Sequence, residues 1–208
     1  MKRIAPLSLL LGFICGCAST PHTYTGKDGV TYHEDKDVQG VWLADGFDFN
    51  GYDTIVVLEP TSDAESRSDE EKKVLNASKR MLRNELVAAL EEAKVFKHVV
   101  QSTNDIPAGS KTLLLANNIY HHEKGGGGAR FWAGLYGAGQ PVIKVLGKMS
   151  NDKDTLFRYD MTRSGDSGGS RMGGGYMSDE SIQTEDVKDL ARDLAKFVQD
   201  TATHTPRK

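Results

Sequence analysis

The sequence predicts an α+β domain of two layers, with two helices packed on one face of a mostly antiparallel four- to five-stranded sheet. Three observations carry that expectation. A capping box opens a long stretch of apolar residues at helical spacing. Two neighbouring runs alternate apolar and polar around a short turn. A second helical stripe closes the chain. The order strand, helix, strand, strand, hairpin, helix suits helices covering one face of a sheet.

The elements follow in order. Tyr52-Asp-Thr-Ile-Val-Val-Leu58 is a β-branched run of the kind that forms a buried strand. Pro60 and the polar residues 62–68 break it. Ser68-Asp-Glu-Glu71 then offers a serine oxygen to a free amide while the glutamate returns to the serine amide. Behind it, Val74, Met81, Leu82, Leu86, Leu90 and Ala93 define a helix over about 69–94. Its Lys72, Lys73, Lys79, Arg80 and Arg83 are expected on a solvated face, and Asp69, Glu70 and Glu71 favour the helix dipole at its start. Val95 to Val100 reads as a short strand, parallel or antiparallel to its neighbour. A turn around Pro107 and Gly109 leads to a strand from Thr112 to His121.

Pro141 to Met149 alternates, with Ile143, Val145 and Met149 on one side and Lys144 and Lys148 on the other. Asn151-Asp-Lys-Asp154 is a turn. Thr155 to Arg163 alternates again, with Phe157, Tyr159 and Met161 inward and Arg158, Asp160 and Thr162 outward. Val187, Leu190, Ala191, Leu194, Phe197 and Val198 make the closing helix, and residues 201–208 a disordered tail.

The N-terminus carries a different signal. Met1-Lys2-Arg3 is positive, and Ile4 to Ile14 is an apolar run too short to span a bilayer, which needs about 20 residues. Ile14-Cys15-Gly16-Cys17 resembles the bacterial lipobox. Residues 1–16 are therefore expected to be a lipoprotein signal peptide, cut between Gly16 and Cys17, with Cys17 acylated. Two or more acyl chains hold a protein stably at about 0.8 kcal/mol per buried methylene. Ala18, rather than aspartate, after the cysteine resembles the enterobacterial signal for the outer membrane. The expected location is thus lipid-anchored and periplasm-facing. Residues 17–51 read as the lipidated N-terminus and a partly ordered tether, holding one short strand around Val41 to Phe49. Residues 52–200 form the globular domain.

Composition narrows the function. Of 208 residues, 192 follow the signal, enough for one core. Formal charge is −3, and about −5 once Lys2 and Arg3 are removed. That argues against nucleic acid, which wants a basic face. Both cysteines lie at 15 and 17, so the mature domain has no disulfide and no cysteine ligand or nucleophile.

Residues 125–139 hold 7 glycines and residues 165–175 hold 6, and the two stretches flank the hairpin strands. Neither matches a phosphate-binding loop. Arg130, Phe131, Trp132 and Tyr136, with Leu135, form a candidate interaction segment for lipid or a neighbouring protein. The alternative is that the glycines permit close approach and the aromatics cap the domain's own core. His121-His122-Glu123 is the one metal-like cluster; His121 and Glu123 share a strand face, but two ligands do not make a site. Ser164, Asp166 and Ser167 lack a nucleophile elbow. No catalytic residue, cofactor or metal is expected.

Arg130, Phe131, Gly134, Gly137 and Gly139 before the strand Val142 to Met149, with an aspartate-bearing turn after it and Tyr52-Asp-Thr-Ile-Val-Val earlier, resemble a bacterial lipoprotein family known as domain of unknown function 4410. The likeness spans roughly residues 52–197; the turn 151–154 lacks the Thr-Gly pair of that pattern. It implies an envelope lipoprotein without an assigned activity. The expected function is a non-enzymatic interaction or assembly module, bound to membrane through its N-terminal lipid and to a protein partner or to itself. The alternatives are an envelope enzyme or small-ligand binder, or an accessory subunit of a secretion or transport complex.

Overall fold

A computed structural model describes residues 22–65, 68–123, 141–165 and 179–203, with the side chains of 179–183 excepted. The fold is α+β, with nine strands and two long helices among the described residues. The strands are β1 (Thr23–Thr25), β2 (Thr31–Asp35), β3 (Gln39–Leu43), β4 (Thr54–Val57), β5 (Thr61–Ser62), β6 (His98–Val100), β7 (Thr112–Glu123), β8 (Val142–Ser150) and β9 (Thr155–Ser164). The helices are α1 (Asp69–Ala93) and α2 (Asp179–Ala202).

They build one sheet in the order β1-β2-β3-β9-β8-β7-β4-β6, with β5 also on β7. This corrects the expected four to five strands. Most of the gain comes from residues 22–51, which form three strands rather than a tether. These strands are only three to five residues long and partly buried, so no long periodic pattern marks them. The strand expected around Val41 to Phe49 is Gln39–Leu43, and Phe49 sits in a 3₁₀ turn. The sheet is mixed: β4 runs parallel to both β6 and β7, which settles the open pairing after the first helix. The hairpin β8–β9 is antiparallel, as expected.

Both helices pack against the same face. Ser68 accepts from the Glu71 amide and starts α1; Lys94, in the left-handed conformation at φ 55°, stops it. The buried stripe of α1 is Leu75, Ser78, Leu82, Leu86 and Leu90. It meets Val187, Leu190, Leu194, Phe197 and Val198 of α2 in one core with Leu113, Leu115, Ile119, Val145, Met149, Phe157 and Met161. Tyr159 is fully buried here, and its hydroxyl donates to Asn117. An added Cβ at Gly147 would stand 2.1 Å from the Tyr159 ring, so only glycine leaves room for that ring. Arg83, expected on a solvated face, instead donates to the Val57 and Gln101 carbonyls and pairs with Glu59, tying α1 to the ends of β4 and β6. No helix among the described residues is long and apolar enough to cross a membrane.

Candidate functional site

Among the described residues, three places concentrate polar chemistry or open space. The first is the sheet face opposite the helices. Gly40 pairs with Asp160, and Asp160 with Leu146, so these positions share that face. Strands β1 to β3 fold Tyr24 onto it. A Cβ at Gly40 would meet the Tyr24 hydroxyl at 2.1 Å, so glycine permits the crossing. Asp160, only 8% exposed, accepts from Tyr120 at 2.9 Å and from Tyr24 at 3.3 Å. Burial raises its carboxyl above the usual range, against the opposing pull of the two hydroxyls. Burial and the same carboxylate push both phenols upward. Beside it, Asp28 accepts from Tyr32 at 2.9 Å and from Arg158 at 3.2 Å, and the Lys27 ammonium lies 5.3 Å from the centre of the Tyr120 ring. A cavity of about 250 Å³ adjoins, lined by Asp28, Asn118, Leu146, Lys148 and Arg158. These groups satisfy one another and fasten the N-terminal strands to the sheet.

The second place is the carboxyl end of β7 and β9. Val142 pairs with Glu123 on one side and Ser164 on the other. Both glycine-rich stretches therefore leave from adjacent strand ends, as their positions in the sequence predicted. Here Ser78 Oγ lies 3.1 Å from His122 Nε2, a pairing across 44 residues that the sequence analysis missed. Burial and then the neighbouring His121 hold the His122 imidazole below its usual range. Asp186, Pro141, Val142, Ile143 and Val187 close around the pair and leave no room for a water molecule. The pair is thus packed between α1, α2 and the ends of β7 and β8. His121 and Glu123 do share a face, and they bind each other at 3.2 Å while 40% and 60% exposed. Among the described residues no three histidine, cysteine or acidic side chains are placed to hold a metal. Arg163, with 9% of its side chain exposed, pairs with Asp193 and donates to the Asp37 carbonyl, joining β9, α2 and the β2–β3 turn.

The third place is the opposite end of the sheet. A groove of about 1030 Å³ opens between the segment after β3, the segment before β7 and the β8–β9 turn. Phe47, Tyr52, Ile106, Leu114 and Leu156 supply its apolar surface. Asp48, Asp152, Lys111 and Lys153 also line it, so it carries charges of both signs. No motif announced it, because its lining comes from four separate loops and strand ends.

The remaining residues singled out in the sequence, Gly16, Cys17, Arg130, Phe131, Trp132, Tyr136, Asp166 and Ser167, lie outside the described residues. Ser164 ends β9.

No family model matches the chain, and no curated protein matches it either. Among solved structures, a PelC dodecamer from Paraburkholderia phytofirmans matches at 12% identity and TM-score 0.46, over 74% of this chain and 96% of that one. Protein XCC0632 from Xanthomonas campestris, of the family DUF330, matches at 12% identity and TM-score 0.41, over 74% of this chain and 86% of that one. Scores this low carry nothing over to the activity or assembly of this chain.

Proposed function

We propose that this is a lipid-anchored bacterial envelope protein, of the kind the domain 4410 resemblance implies, that binds a protein partner rather than catalysing a reaction. The lipobox around Cys17 supports the anchor. The observation that carries the binding role is the open groove of about 1030 Å³, apolar at Phe47, Tyr52, Ile106, Leu114 and Leu156 and charged with both signs at Lys111, Lys153, Asp48 and Asp152. Apolar centres with a polar rim are the common anatomy of recognition surfaces. The acid–base pairs described above are, by contrast, engaged with each other.

The test places a photo-crosslinking residue at Lys153, which is exposed beside the groove, and at Glu92, which is exposed on α1. In intact cells, Lys153 is expected to give a discrete crosslinked species and Glu92 none. Equal yields at both positions would refute the groove as the binding surface. A second reading is favoured by the groove's volume, which matches small-ligand sites. It predicts a saturable rise in melting temperature with a small apolar ligand and no protein crosslink.

A further inference from the structure

We infer that the bilayer faces the β1 edge and the carboxyl end of β7 and β9, and that the groove at the opposite end is turned away from the lipid. The inference rests on the acylation of Cys17 and deepens the proposed function, because it fixes which surface a partner can reach.

The argument is one of chain length and direction. Thr23 pairs with His33, His33 with Val41, and Val41 with Tyr159. Strand β1 therefore begins level with the middle of β9. Strand β2 runs in the same sense as β9, and β1 runs against both, so the chain enters β1 from the carboxyl end. The His22 carbonyl continues that line by accepting from the Glu34 amide at 2.9 Å. Only residues 18–21 separate His22 from Cys17. Five Cα steps reach at most about 18 Å. His22, opposite Glu34, lies level with Gly40 and Asp160, and from there to the level of Ser164 is about 13 Å of strand. The anchor thus lies at most about 5 Å beyond the carboxyl end when the segment continues straight, and beside the β1 edge when it bends.

The other orientation fails on the same measure. To put the groove against the lipid, the chain would have to reverse at His22 and pass β9 from Tyr159 to Thr155, then the loops beyond it that line the groove. That path is longer than about 18 Å.

The mature domain has no cysteine besides Cys17, whose thiol acylation blocks, so single cysteines can be labelled selectively. Full-length protein carrying Lys36→Cys or Lys153→Cys is labelled with a fluorophore and reconstituted into phosphatidylcholine vesicles containing headgroup nitroxide lipid. Lys36, exposed in the β2–β3 turn, is expected to be quenched several-fold more than Lys153. Ten Gly/Ser residues inserted after Ala18 should reduce that ratio toward one. Equal quenching in the parent, or stronger quenching at Lys153, overturns the orientation while leaving the anchor intact. Protein that fails to float with vesicles, and behaves like Cys17→Ala, overturns the anchor and the orientation together.

Discussion

Gly147 offers the sharpest test of the packing described here. Gly147→Ala would place a Cβ 2.1 Å, 2.2 Å and 2.5 Å from Cζ, Cε1 and Oη of Tyr159. These atoms cannot yield easily, because Tyr159 is fully buried, lies 5.7 Å from the Phe157 ring, and donates to Asn117. Overpacking of this kind costs about 1–3 kcal/mol. Displacing the hydroxyl leaves a buried partner unpaired, a further cost of about 1–3 kcal/mol. The expected loss is therefore about 4 kcal/mol of a total near 5–15 kcal/mol. In a Tyr159→Leu background the ring is gone, and alanine in a strand is favoured over glycine by about 0.5–1 kcal/mol. There the same substitution should be neutral or slightly stabilising. Urea unfolding followed by tryptophan fluorescence measures all four proteins, with the slope checked for constancy. If Gly147→Ala costs the same within about 0.5 kcal/mol in both backgrounds, the two positions do not couple and the steric argument is wrong.

Three further perturbations test other sites. Because burial raises the Asp160 carboxyl, the folded state keeps its proton where the unfolded chain has lost it; that stabilisation is complete below about pH 3.9 and is lost as pH rises through the folded value. Relative to Asp160→Asn, the natural protein should lose stability as pH rises above about 3.9, and parallel curves would refute this. His122 is shifted the other way, so the fold should weaken as pH falls from about 6.5 through its folded value. His122→Gln should lessen that loss, whereas Ser78→Ala, which strips the ring of its 3.1 Å partner, should cost about 1–3 kcal/mol at neutral pH. Lys94→Gly removes a non-glycine residue from φ 55° and should raise the melting temperature, since the left-handed conformation costs L-residues about 1–2 kcal/mol; an unchanged or lower value in calorimetry would count against the cap.

What could be read from the sequence follows the length of the periodic signals. Helix α1 is set by a capping serine and five buried positions at steps of three and four, and its start is where Ser68 predicted. The β8–β9 hairpin alternates over nineteen strand residues around a polar turn. Strands β1 to β3 have three to five residues each and half-buried faces, so local periodicity could not separate them from a tether. Their placement is decided by distant partners: Asp28 through Arg158, Tyr24 through Asp160, and the β2–β3 turn through Arg163. The same holds for the sites. Ser78 with His122, and Tyr24 with Asp160, meet across 44 and 136 residues, and neither pair has a spacing that sequence could reveal. Asp160 even stood among residues expected to face outward; it does face away from the helices, but the N-terminal strands cover it.

That covering bears on the proposed orientation as well as on stability. Their polar ties, Tyr24 and Asp28 on one side and Arg163 to Asp37 on the other, hold β1 rigidly on a sheet that would otherwise end at β3 or β9. If residues 22–51 were the tether first expected, the anchor could reach more than about 100 Å and would leave the domain free to present any face to the lipid. With β1 paired from Thr23, an anchor at Cys17, as proposed, would reach about 18 Å and would select one end of the domain. The glycine-rich stretches leave from that end, at Glu123, Val142 and Ser164. Partner binding through Phe131, Trp132 and Tyr136 and lipid contact by the same residues then become competing outcomes of one substitution. Trp132→Ala that changes the solution mass of the unacylated domain supports assembly through that segment; a mass unaffected by it, with weaker vesicle binding by the acylated protein, assigns the segment to the bilayer.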